Sequence, residues 1–368
     1  MDVIAKGQHD RNAEADYRML QRAGIGTVRD GLRWHLIETT PGAYDWTSFL
    51  PLLDAAAASG TQVIWDLCHW GVPDGLDVFS GEFVTRFATF AEAAARQVFE
   101  RTGGFDGPVP FYCPINEISF WAWVGGDVQA FWPHREGQGP ALKRQLVRAS
   151  VLAIQAIRRV DPRARFVQAE PIIHIVADEE DLEQTPGIAG DVARHNASQF
   201  EAWDMLRGDL AGELGGATEL LDVIGVNYYW NNQWVHDGER TPLGHPGHRP
   251  LHLMLEELWR RYGRPIVITE TGAEAEAANG WIGYIAAEVR QAQRAGVPVL
   301  GVCLYPVMDY PGWDDERHCP CGLIEVAEDW GARTLRNDLA AEVVLQASMM
   351  ARAVDGEATS IQPALSKR

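Results

Sequence analysis

The chain is poor in cationic side chains. Its 368 residues hold 32 Lys plus Arg against 51 Asp plus Glu, a formal charge of −19. Phosphate backbones and anionic membrane surfaces are bound by clustered Lys and Arg, which this sequence lacks, so neither nucleic acid nor membrane is an expected partner. No apolar run approaches the ~18 to 20 residues that span a bilayer. The opening MDVIAKGQHDRN has neither a basic nor an apolar leader region, so a cytoplasmic location is expected. Cysteine is scarce and odd in number: Cys68, Cys113, Cys303, Cys319 and Cys321, the first three inside apolar runs. That usage suits free thiols in a reducing compartment. Repeats and low-complexity tracts are also missing. A dinucleotide fingerprint is mimicked by Gly24, Gly26 and Gly31, but these follow a helix and lead into a strand, which is the wrong context.

What is present in quantity is apolar and aromatic: 46% hydrophobic residues, with 14 Trp, 12 Phe and 9 Tyr. Short apolar runs predict strands at Thr27–Leu32, Gln62–Cys68, Pro110–Glu117, Arg165–Pro171, Val223–Tyr229, Pro265–Gly272 and Gly301–Asp309. Helical spacing fills the intervals, as in Phe83, Phe87, Phe90 and Ala94 behind a Ser80 cap. Gly24, Gly60, Gly263 and Gly296 stand where helices should stop. Strict alternation of this kind leaves a doubly wound sheet or a closed barrel; with the glycine fingerprint in the wrong context, the expected fold is α/β, a (β/α)8 TIM barrel over residues 1–350 as one domain. A polar tail is expected around 355–368. One strand is short: a helix from about Asp10 to Ala23 leaves only Val3–Ala5 as a stub where a first strand belongs. Either that stub serves, or the first strand is missing.

Barrel enzymes draw their reacting groups from the C-terminal ends of strands. Those ends supply Arg29 and Trp34, then Asp66, His69 and Trp70, then Asn116 and Glu117. Further along come Glu170 and His174, Asn227 and Tyr229, Glu270, and Tyr305 and Asp309. Glu117 and Glu270 each end an apolar run, where an uncompensated carboxylate is costly. A lone Glu of this kind reads best as half of a structural ion pair. Two of them, with Asn116 beside one and Arg29 available to the other, suit the two-carboxylate chemistry of glycoside hydrolysis. An Arg beside one carboxylate favours its ionised form, as a nucleophile needs, while a partnerless one is held protonated, as an acid needs. Carboxyl groups ~5 to 5.5 Å apart mean retention, and ~6.5 to 9.5 Å inversion.

From about His9 to Gly331 the sequence resembles glycoside hydrolase family 1, within the larger clan of barrel glycosidases. VRDGLRW (Val28–Trp34) is similar to that family's R-F-S-I-S-W, which puts Arg29 on the Arg that contacts the nucleophile. CHWGVP (Cys68–Pro73) is similar to Y-H-W-D-L-P, so the resemblance implies that His69 and Trp70 touch the sugar. INEI (Ile115–Ile118) resembles F-N-E-P, making Glu117 the acid/base and Asn116 the partner of the sugar 2-hydroxyl. IGVNYY (Ile224–Tyr229) resembles G-x-N-Y-Y, with Asn227 and Tyr229 near the nucleophile, and ITETG (Ile268–Gly272) resembles I-T-E-N-G, making Glu270 that nucleophile. The last strand departs from the pattern. Where the family has W-S-L-x-D-N-F-E-W, this chain reads Y-P-V-M-D-Y-P-G-W, Tyr305 to Trp313, with Gly312 in place of the glycone-binding Glu. The family's sugar-binding Gln on the first strand has no counterpart, since Gln8 sits just before a helix.

The expected function is therefore a retaining, β-glucosidase- or β-galactosidase-like hydrolase acting on a glycoside, with its glycone open and no metal or organic cofactor. Expected sugar contacts are His69, Trp70, Trp123, Tyr305, Asp309 and Trp313, with Trp121 and Trp230 as further stacking surfaces. Eight Trp (34, 70, 121, 123, 132, 230, 234 and 313) are placed around the mouth. A non-catalytic glycan- or partner-binding barrel, or a transglycosidase, are the alternatives. Glu170 and His174 read at least as well as structural residues. His245 and His248, the Asp178–Asp181 run, and Cys319 and Cys321 beside His318 read as loop residues rather than metal ligands.

Overall fold

Near-continuous apolar runs become strands here because helices cover their outer faces. The computed structural model describes residues 2–313 and 315–360. Seven strands form one parallel sheet: β1 (Thr27–Gly31), β2 (Gln62–Asp66), β3 (Phe111–Cys113), β4 (Arg165–Pro171), β5 (Val223–Asn227), β6 (Ile266–Thr271) and β7 (Val299–Leu304). They are hydrogen-bonded in chain order, the arrangement of a (β/α)8 barrel that lacks its first strand. Val3–Ala5 is not a reduced strand. It lies in a short helix, α1 (Val3–Lys6), capped by the Asp2 side chain on the Ala5 N–H.

The missing strand leaves a seam between β1 and β7. The central strand β5 is buried along its whole length, whereas β1 is part-exposed to exposed throughout and β7 is buried only at Val299. A cavity of about 1420 Å³ runs from this seam, past Val28 and Val302, to Trp70 and Trp313 at the mouth.

The helices form as their spacing predicts. The Ser80 hydroxyl accepts from the Phe83 N–H at 3.2 Å, and Phe83, Phe87, Phe90 and Ala94 form the fully buried face of Gly81–Arg101. Gly60 and Gly263 end Leu50–Ser59 and Leu251–Tyr262 at φ of +69° and +60°, a conformation that a Cβ disfavours. Trp34 stacks among Phe83, Phe87 and Phe90 with ring centroids 5.2–5.9 Å away. It and Trp121 are fully buried, so two of the eight tryptophans placed at the mouth are core residues instead.

Two predicted strands end early. β3 stops at Cys113, and Pro114 to Glu117 form a turn; β7 stops before Tyr305–Pro306, where proline has no N–H to donate. The final helix, Asn337–Ser360, runs through the point where a tail was expected at 355, and 361–368 lie outside the described residues. The side chains of 179–181 in the Asp178–Asp181 run also lie outside them; that backbone opens the helix Glu179–Gln184. Among the described residues, no helix is long and apolar enough to cross a membrane.

A buried ion cluster ties the first long helix, α2 (His9–Arg22), to β1 beside the seam. His9 Nδ1 meets Asp16 at 2.8 Å and its Nε2 meets Asp30 at 2.9 Å, while Arg333 forms an ion pair with Asp16 at 2.7 Å. Burial opposes the charge on His9, but the two aspartates outweigh it and hold its pKa at about 10, against an ordinary 6.5. A raised folded pKa contributes stability fully present below about 6.5 and lost as pH rises through about 10. His9→Ala should therefore destabilise the fold by about 3–5 kcal/mol at pH 6, the usual consequence of breaking a buried ion pair. In urea unfolding, the gap to wild type should narrow at pH 10; an unchanged gap would show that His9 acts by packing alone.

Candidate active site

The middle of β1, the turn after β3 and the C-terminal ends of β5 and β6 with the residues just beyond them bring Arg29, Asn116, Glu117, Asn227, Tyr229 and Glu270 into one hydrogen-bonded group. Arg29 projects from the middle of β1, and its side chain is 6% exposed. One guanidinium nitrogen, Nη1, donates to Asn116 Oδ1 at 2.7 Å and lies 3.4 Å from Asp66; the other, Nη2, pairs with Glu270. The Tyr229 hydroxyl donates to the second Glu270 oxygen at 2.9 Å. Burial pushes the Tyr229 phenol well above its ordinary pKa, which keeps that proton in place. Glu270 is thus held by a cation and a phenol.

Glu117 is held differently. Asn227, fully buried at the end of β5, donates its Nδ2 to Glu117 Oε1 at 2.8 Å, and its own oxygen is fixed by the Thr269 hydroxyl at 2.7 Å. Burial raises the Glu117 pKa, and the Asn227 hydrogen bond only partly offsets it. The two carboxylates therefore sit in contrasting surroundings. Glu117 also occupies the left-handed region, at φ 46° and ψ 59°. For a residue with a Cβ this costs of order 1–3 kcal/mol and persists only where the surroundings enforce it.

Four side chains close a ring beside this pair. Because Arg29 holds the Asn116 oxygen, the Asn116 amide nitrogen faces His69 Nε2 at 3.2 Å. His69 accepts there, so its ring proton sits on Nδ1 and is donated to Asp66 Oδ2 at 2.9 Å. Asp66 returns to Arg29. The Trp70 indole donates to the Asn116 carbonyl at 2.9 Å, which fixes its ring next to His69. Trp313 stacks 6.4 Å from His69 with its plane 10° away, and Trp70 lies 5.9 Å from Trp313. Arg29, Asp66, His69, Trp70, Tyr305 and Trp313 all line the large cavity. Glu117 and Glu270 are not on its wall, but Glu270 is bonded to Arg29, which is.

Other predicted positions lie apart from this group. Trp123 is 52% exposed and packs on Phe120. Trp121 is buried, its indole donating to the Trp132 carbonyl, so it offers no face to a sugar. Both oxygens of Asp309 accept backbone N–H groups, from Gly322 at 2.8 Å and Val326 at 3.1 Å, which occupies the carboxylate in shaping its own loop. The Trp230 ring is covered by Arg240 at 4.3 Å. His245 accepts from the Gly247 N–H, and His248 bonds the Thr241 carbonyl and Tyr284. Cys319 and Cys321 are free, and His318 bonds the Val326 carbonyl. Among the described residues, no group of three or more His, Cys, Asp or Glu side chains is placed to hold a metal.

Sequence reasoning gave no role to Asp66 and Thr269, and left Glu170 undecided. Glu170 carried a signal equal to that of the other two glutamates, since it too ends an apolar strand in VQAEP.

The chain matches no family model and no curated protein by sequence. Solved structures match over most of its length. A family 1 β-glucosidase from Thermotoga maritima superposes with a TM-score of 0.73 at 15% identity, covering 93% of this chain and 86% of that one. The virulence factor SghA, in complex with its substrate analogue salicin, gives 0.76 at 19% identity, over 92% and 85%. A hyperthermophilic β-glucosidase mutant gives 0.73 at 18%, over 92% and 88%. What is shared at these identities is the fold, a (β/α)8 barrel.

The contrast between the two glutamates can be measured without a substrate. In carboxyl-labelled protein followed by NMR, Glu117 should titrate above the ordinary Glu range. Asn227→Ala, which removes a donor that favours the charged form, should move it higher still. An unmoved or lowered midpoint would mean that Asn227 does not set this carboxyl.

Proposed function

We propose that this protein is a retaining β-glycosidase, a divergent relative of glycoside hydrolase family 1. One observation carries the reading. Two strand-end glutamates share a hydrogen-bonded group, one paired with Arg29 and Tyr229, the other buried with a single amide donor. Glycoside hydrolysis by two carboxylates needs that asymmetry, and the likeness of INEI and ITETG to the family's motifs supports double displacement in particular.

In the first step a Glu270 oxygen attacks the anomeric carbon. The bond from that carbon to the leaving oxygen breaks, and Glu117 supplies its proton. Arg29 and Tyr229 hold Glu270 in position and in its charged form until the ester forms. In the second step Glu117 takes a proton from water, whose oxygen attacks the anomeric carbon as the bond to Glu270 breaks. Two inversions leave the configuration unchanged. Asn116, positioned by Arg29, is by its resemblance to the family's F-N-E-P motif the partner of the neighbouring sugar hydroxyl. His69, Trp70 and Trp313 form the wall against which the glycone packs. The similarity to β-glucosidases and to SghA supports a glycoside substrate. The glycone is a separate matter, since Gly312 stands where the family has its sugar-binding Glu.

A screen of alkyl and aryl β-glycosides should find a turned-over substrate. On the alkyl member, Glu117→Ala should lose about 10²–10⁴-fold, the usual contribution of general acid–base catalysis, and Glu270→Ala at least as much. Full turnover in either variant would remove that residue from the mechanism.

A further inference from the structure

The turn that carries Asn116 and Glu117 is docked, residue by residue, onto β4. The Gln168 side-chain amide donates to the Ile115 carbonyl at 3.1 Å, and the Ala169 carbonyl accepts the Glu117 N–H at 2.9 Å. Glu170 then accepts the next two N–H groups, Ile118 on Oε1 and Ser119 on Oε2, each at 2.9 Å. These are the first two donors of the helix Ile118–Gly126, and Glu117 is the residue before it. Glu170 is fully buried, and the Gln168 amide lies 3.2 Å from its Oε1. Strand pairing does not reach this far, since β3 and β4 pair only at Phe111–Arg165 and Tyr112–Phe166. The left-handed backbone of Glu117 is therefore held in large part by one buried carboxylate.

We propose that Glu170 is the positioning residue for the acid/base: it grips the backbone on the far side of Glu117 and so holds the Glu117 carboxyl against Asn227. The role rests on the glycosidase reading for its effect on rate, but not for its effect on Glu117. Among the described residues, the charged groups that act on Glu170 include Glu117 and Lys143, the latter from the helix Gly139–Val160 and itself paired with Glu201, and the Gln168 amide lies beside it. Burial lifts the Glu170 pKa to about 7, with the Ser119 N–H and Lys143 pulling the other way. Its grip therefore weakens on acidification through neutrality, where a protonated carboxyl offers poorer acceptors to the two N–H groups.

Glu170→Gln, which keeps the shape but not the charge, tests this beside Glu170→Asp, with circular dichroism confirming the fold. In carboxyl NMR the Glu117 midpoint should rise in Glu170→Gln, as the loosened turn draws the carboxyl from the Asn227 donor that favours its charged form, and return toward wild type in Glu170→Asp. On matched glycosides, kcat/KM should fall at least tenfold for an alkyl leaving group and less than twofold for 2,4-dinitrophenyl, which leaves without an acid. An equal loss on both substrates together with an unmoved Glu117 midpoint would overturn the proposal. If no glycoside is turned over by wild type, the functional reading falls and the midpoint alone decides: movement supports the role and stasis rejects it.

Discussion

The buried guanidinium of Arg29 is the interaction on which the site depends. Taking a cation out of water costs several kcal/mol, and only close, well-oriented partners offset that. Here the partners are Glu270, Asp66 and the Asn116 oxygen, drawn from β6, from β2 and from the turn after β3. Each satisfies Arg29 and is oriented by it in return. The orientation of Asn116 decides which way its amide points, hence which nitrogen of His69 faces Asp66 as a donor. One cation on β1 sets the state of four polar side chains. Its place on a strand at the open edge of the sheet makes this more demanding, because among the described residues no strand pairs with β1 on the seam side. The ion cluster of His9, Asp16, Asp30 and Arg333 secures that edge instead.

The two glutamates are the same residue in unlike surroundings. Glu270 stays on its strand and meets a cation and a phenol. Glu117 leaves its strand, turns through a left-handed conformation and meets one amide. Barrel geometry brings both to the same end of the sheet, but the division of labour comes from local partners. Much of what separates them is supplied by β4, whose Gln168, Ala169 and Glu170 hold the turn that carries Glu117.

Some of this was legible in the residues alone. Strand order, helix faces and the Ser80 cap follow from periodicity and turn chemistry, which are local. Arg29, Glu117, Asn227 and Glu270 could be placed together because strand ends in a barrel converge. The stub at Val3–Ala5 misled because three apolar residues carry no period, and the Asp2 cap decided for helix. Trp121 misled for a different reason. A tryptophan just after a strand end is equally suited to a mouth or to the underside of a loop, and burial chose the second. Asp66 and Asp309 have the same sequence signature, an acid at a strand end. Asp66 faces a cation from another strand while Asp309 faces its own loop's N–H groups. That difference lies in contacts between residues far apart in the chain, which a single sequence does not display.

Treatment with a mechanism-based 2-fluoroglycoside of the best glycone, followed by peptide mass analysis, tests the central claim most directly. The account predicts one glycosyl adduct per chain, carried by Glu270 in the ITETG segment and absent in Glu270→Ala. An adduct on another residue, or a protein that turns over glycosides across the panel yet never forms one, would contradict it.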